Sequence, residues 1–90
     1  SARCYNNMAC YFIAGNSVIK PNIARAIDYA TRGLSCENID PETKAHLLFN
    51  KAYCLYLIRK NAMAIDLLEQ ALLINPDYRL AQDLLGRLKR

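Results

Sequence analysis

His46 is the only histidine of the chain, and four cysteines (Cys4, Cys10, Cys36, Cys54) are its strongest nucleophiles. A thiol activated by an imidazole could do acyl-transfer or redox chemistry, provided the two lie within hydrogen-bond reach. Cys10 and Cys54 fall on predicted helices, so a Cys–His pair is conceivable, but catalysis through His46 would need a nucleophile or carboxylate placed beside it. The cysteines show no Cys-x-x-Cys pair and no metal-ligand spacing. Glycine-rich phosphate loops and paired carboxylates are also missing. The chain is therefore expected to be no enzyme and to carry no metal or cofactor. Pairing of Cys4 with Cys10 and Cys36 with Cys54 rests on arithmetic alone. Reduced thiols in a cytoplasmic core are the expected state.

The other side chains with recognition chemistry are rings. His46, Phe49, Tyr53 and Tyr56 recur at helical spacing, one residue round from a second stripe of Ala45, Leu48, Ala52 and Leu55. A helix with two such stripes has neighbours on both flanks, or a neighbour and a ligand. The next stretch, 61–74, places Ala64, Leu67, Leu68, Ala71 and Leu72 on one side before Pro76 stops it. An earlier stretch repeats it at an offset of 38: Ala24, Ala26, Ile27, Asp28 and Leu34 return as Ala62, Ala64, Ile65, Asp66 and Leu72, with Gly33 standing for Ala71. The same offset sets Cys10, Ile13, Ala14 and Ser17 against Leu48, Lys51, Ala52 and Leu55.

Five helices are predicted, over 4–19, 21–35, 41–58, 61–74 and 76–89. Asp40-Pro41-Glu42 is a start signal, with a cap, a fixed φ in the first turn and an acid against the dipole. Asn75-Pro76-Asp77 is expected to repeat it, and Asn61 to cap the fourth helix. The last helix carries one stripe (Leu80, Leu84, Leu85, Leu88) and a polar side (Arg79, Gln82, Asp83, Arg87), as a terminal capping helix should.

Composition limits the partners. Ninety residues, 53% apolar and 22% charged, make one ordinary globular domain. The longest apolar run, Met8 to Ala14, is far short of the ~20 residues of a membrane span. The net charge of +4 comes from scattered cations alternating with acids, and its clusters (Arg59-Lys60; Arg87, Lys89, Arg90) sit at helix ends. A nucleic-acid partner is not expected, although a basic, tyrosine-rich RNA-binding repeat stays as a rival.

Residues 45–76 resemble a tetratricopeptide repeat, a unit of about 34 residues. Leu48, Ala52 and Leu55 fall in its first-helix places and Ala64, Leu68, Ala71 and Pro76 in its second-helix places, with Lys51 departing from the usual Leu. Leu85-Gly86 falls on the Leu-Gly of a following repeat, and residues 10–33 are similar but looser. The resemblance implies an all-α domain of antiparallel helical hairpins stacked as a short superhelix. Repeat one would cover about 4–36, repeat two about 41–75, and a capping helix about 76–89. It also implies a concave groove lined by first helices and a protein or peptide partner. Tyr11, His46, Phe49, Asn50, Tyr53 and Tyr56 would contact that partner, with Met8 and Phe12 contributing. A carboxylate clamp of the kind some members use is not expected, because only Asn50 suits it. The first predicted helix is uncharged, so Cys4, Met8 and Phe12 form a candidate self-association surface, or the face of a fragment whose neighbour is missing.

Overall fold

The computed structural model describes residues 1–15 and 21–90. Five helices follow in order, α1 (Ala2–Ala14), α2 (Ile23–Leu34), α3 (Pro41–Leu57), α4 (Asn61–Ile74) and α5 (Arg79–Leu88), and the described residues contain no strand. The expected all-α architecture holds. The part of the first helix expected over 16–19, including Ser17, lies outside the described residues. α1 itself stops at Gly15, whose φ of 65° suits a residue without Cβ and whose N–H donates to the Tyr11 carbonyl.

Local chemistry sets most boundaries. The Asp40 carboxylate accepts the Thr43 N–H at 2.8 Å and the Thr43 hydroxyl at 2.8 Å, and Pro41 opens α3. Asn22 caps α2 by accepting the Arg25 N–H at 3.0 Å. At the end of α3, Arg59 takes φ 65°, while Lys60 N–H donates to the Leu55 carbonyl and Arg59 N–H to that of Tyr56. That pattern is a Schellman ending with arginine where glycine is usual.

Two expected starts are corrected. Lys60, not Asn61, precedes α4, and no side chain caps it. α5 begins at Arg79 rather than Pro76, because the Asn75 side chain accepts the Asp77 N–H two residues on and folds 75–78 into a turn. In α5 the inward stripe is Ala81 and Leu84, with Leu85 and Leu88 half-buried; Leu80, expected in that stripe, is 60% exposed.

Each helix packs on its successor in the chain, and α1 also lies against α3. The three-residue connection Ile58 to Lys60 makes α3 and α4 a hairpin. Alanines on facing helices let the axes come close. Ala52, Ala64 and Ala81, all fully buried, join Leu55, Leu68 and Leu84 where α3, α4 and α5 meet. Ala2, Ala9, Ala30 and Leu47 do the same for α1, α2 and α3. Gly33 of α2 touches Leu47 so closely that an added Cβ would stand 2.7 Å from a methyl.

The burial pattern shows the internal repeat with one change of register. Ala26, Ala30 and Gly33 of α2 match Ala64, Leu68 and Ala71 of α4 at the expected offset of 38. In α1, however, Ala2, Ala9 and Phe12 match Ala45, Ala52 and Leu55 at an offset of 43. Eight residues separate α1 from α2 and three separate α3 from α4, and the five extra residues make the difference. No helix among the described residues is long and apolar enough to cross a membrane.

Candidate functional site

Four of the expected contact residues stand in a row on α3, because spacings of three and four residues put side chains on one helical face. Tyr56 and Tyr53 have ring centroids 6.2 Å apart, and Tyr53 stacks on Phe49 at 6.2 Å. The turn before α5 adds Tyr78, 5.3 Å from Phe49 and edge-on to His46 at 5.5 Å. All five rings are half-buried. Burial, with the nearby Cys10 adding to it, pushes the Tyr78 hydroxyl up to about 12.

The row forms one wall of a cleft between α3 and α5. Phe49 and Tyr53 line it from α3, and Leu80, Asp83, Leu84 and Arg87 from α5, around a volume of about 220 Å³. Past Tyr56, a second opening of about 320 Å³ is bounded by Tyr56, Leu57, Arg59 and Asn61. At the other end, Arg3, Asn6 and Asn7 of α1 face Glu42, Thr43 and His46 across about 230 Å³. Of these three, the α3–α5 cleft is the one walled mainly by apolar side chains, with Asp83 and Arg87 beside them.

Asn50 points towards α1, where its amide donates to Asn6 Oδ1 at 2.7 Å and lies 3.3 Å from Cys10 Sγ. Its hydrogen-bonding capacity is thus directed within the fold. Tyr11 lies about 100° round α1 from Cys10, so it is turned away from α3 and stays outside the cleft. It is 40% exposed and meets Phe12 edge-on at 5.3 Å. Met8 and Cys4 are exposed on that same outer side.

Phe12 requires correction on both counts. It is buried, stacked on Tyr29 at 5.6 Å and 5°, with the Arg25 guanidinium 5.4 Å from its ring, so it contributes neither to a groove nor to a free surface. The offset of 43 explains this, since it aligns Phe12 with core Leu55.

The residues first weighed for chemistry each have other partners. His46 meets the Tyr78 ring, Cys10 meets Asn50, and Cys54 is buried with Phe12 and Ala26. Burial, together with Cys10, raises the Cys54 thiol to about 11, so it stays protonated and weakly nucleophilic at neutral pH. All four cysteines are free thiols. Among the described residues no group of three or more His, Cys, Asp or Glu could hold a metal ion.

Sequence reasoning missed Tyr78 and the lip formed by Leu80. Tyr78 sits in a turn, where helical periodicity says nothing, although its place just after Pro76 and before α5 marks it as a residue able to fold back. The arrangement defines a class: a small stack of helical hairpins with an aromatic-walled cleft between α3 and α5. Compared with models of known families, with curated proteins and with solved structures, the chain matches none.

Proposed function

We propose that this chain is a non-catalytic interaction module of the tetratricopeptide kind, taking a peptide or helix of a protein partner in the α3–α5 cleft. The observation that supports this reading is the ladder of half-exposed rings on α3. Tyrosine and phenylalanine bury much area with few rotatable bonds, and tyrosine adds a hydroxyl, so such rows suit protein contacts. His46, Phe49, Tyr53 and Tyr56 are the contact residues retained, and Tyr78, Leu80 and Leu84 join them.

The test is a double substitution, Tyr53→Ala with Tyr56→Ala. Partner recovery from lysate, followed by titration of the recovered protein, should fall at least tenfold, about 1.4 kcal/mol, while circular dichroism stays unchanged. Loss of helicity instead means that the rings hold the stack together and recognise nothing.

A second reading has its own support. Cys4, Met8 and Tyr11 stand at i, i+4 and i+7 on the exposed side of α1, a stripe on which another copy could pair. Light scattering at micromolar concentration tests it, and a strict monomer removes it. An RNA-binding role has less support, because Glu42 and Asp83 interrupt the cations around the clefts.

A further inference from the structure

We propose that the occupant of the α3–α5 cleft is an acidic amphipathic segment of another protein. Its apolar side chains sit between Phe49, Tyr53, Leu80 and Leu84, and its carboxylates face Arg59, Arg87 and Arg90. This inference rests on the interaction-module reading and adds the chemistry of the partner.

Charge around the clefts is lopsided. At the end where α1, α3 and α5 begin, Arg3 and Glu42 line the same opening and offset one another, and Asp77 stands in the turn nearby. At the opposite end Arg59 borders the Tyr56 opening, Arg87 lines the α3–α5 cleft, and Arg90 follows the end of α5. Asp83 is the one acid lining that cleft. Neither Arg59, Arg87 nor Arg90 is in an ion pair; among the described residues the pairs are Arg32 with Asp28 and Lys89 with Glu69. Asp83 stands one turn before Arg87 on the same helix, yet the two do not pair.

Cations at helix C-termini complement the dipole, and that accounts for part of the preference. It does not account for Arg59, whose φ of 65° favours glycine and whose side chain borders an aromatic opening. Guanidinium groups are suited to carboxylates, which they grip with two parallel N–H donors. The apolar floor supplies the other half of the specificity. Leu80 is 60% exposed at its lip, and an aliphatic side chain there favours a partner's leucine over a stacked base. Amphipathic helices present such anchors at i and i+3 or i+4, with acidic residues beside them.

The experiment displays random peptides of roughly four helical turns on phage, selects them on the wild-type chain and counter-screens them on Tyr53→Ala and Leu80→Asp. Circular dichroism checks both variants, and Leu80, being exposed, can change without disturbing the core. Expected are cleft-dependent peptides with apolar residues at helical spacing and an excess of Asp and Glu. A synthetic representative should bind about tenfold more weakly to Arg87→Glu and recover when one of its acids is changed to Lys. Cleft-dependent peptides without acidic excess, or indifferent to Arg87→Glu, overturn the acidic-partner inference and leave the groove reading standing. Tighter, salt-sensitive binding of a single-stranded oligouridylate at the same residues overturns it in favour of RNA. A selection with no clone that depends on Tyr53 or Leu80 removes the groove reading, and this inference with it.

Discussion

Gly33→Ala tests the contact on which the stacking of one hairpin against the next depends. Glycine inside a helix is normally a weakness, and alanine there gains about 1 kcal/mol. At Gly33 the new Cβ would stand 2.7 Å and 3.0 Å from the two methyls of Leu47 and 3.2 Å from Tyr5 Cβ. Leu47 is fully buried with no solvent to move into, so either it takes another rotamer inside the core or α2 lifts from α3. Overpacking of that kind costs about 1–3 kcal/mol, which outweighs the propensity gain and leaves a net loss of about 1 kcal/mol. For a domain of this size the melting temperature should fall by roughly 4–8 °C. Gly86→Ala is the control: it lies in α5 with nothing within 4 Å of its added Cβ, so it should gain up to about 1 kcal/mol. Urea unfolding with unchanged slope measures both. A shorter side chain should relieve the clash, so Gly33→Ala with Leu47→Val should lose less than the sum of the single changes. If Gly33→Ala stabilises as Gly86→Ala does, α2 and α3 are not packed this closely and the overpacking argument fails.

The remaining predictions concern the cysteines, a cap and the residue that helical periodicity missed. Iodoacetamide at neutral pH should modify exposed Cys4 and Cys10 in the native chain and reach Cys54 only after unfolding, as read by mass spectrometry; prompt native labelling of Cys54 would contradict its burial. The Asp40 carboxyl is held below its ordinary value, first by the Thr43 N–H and then by the Thr43 hydroxyl. Its contribution to stability is therefore complete above the unfolded-state pKa and fades as pH falls through the lower folded value. Melts from about pH 6 to about pH 2 should show this loss in wild type and less of it in Asp40→Asn; parallel profiles would refute the cap. Tyr78→Ala should cost about 2 kcal/mol by removing the ring that His46 and Phe49 meet. The alkaline absorbance difference between wild type and Tyr78→Phe should place that hydroxyl near 12.

The helices were legible where local chemistry and tertiary packing agree. Asp40-Pro41-Glu42 marks the start of α3, and Ala45, Leu48, Ala52 and Leu55 are all buried as their spacing requires. Agreement failed where one local signal admits two geometries. Asn75-Pro76-Asp77 has the composition of a helix start, but an asparagine side chain can accept the N–H two residues on as readily as the one three residues on. It does the first, so α5 begins late, and Tyr78 stays outside the helix and reaches back over α3. Leu80 illustrates the same limit. Its spacing from Leu84 fits a buried stripe, yet the inward place is taken by Ala81, which is small enough to sit between α3 and α4.

The residues expected to share one surface stay together on α3 and come apart on α1, and the reason is geometric. An offset found in one pair of helices was carried across a longer connection, where it does not hold. Five extra residues before α2 shift the register of α1 from 38 to 43, which is more than a full helical turn and rotates a different face towards α3. The face that α1 offers is then Arg3, Asn6, Asn7 and Cys10, which touch or border the α3 side, instead of Met8, Tyr11 and Phe12. Asn50 is consumed in holding that polar seam. The consequence bears on recognition, because the aromatic wall cannot extend onto α1. On the interaction-module reading proposed above, an occupant would be gripped between α3 and α5, with Tyr78 at one end and Arg87 at the other. A partner whose binding depended equally on Tyr11 and Tyr53 would not fit this arrangement, whereas one that loses affinity with Tyr53 or Leu80 and ignores Tyr11 would.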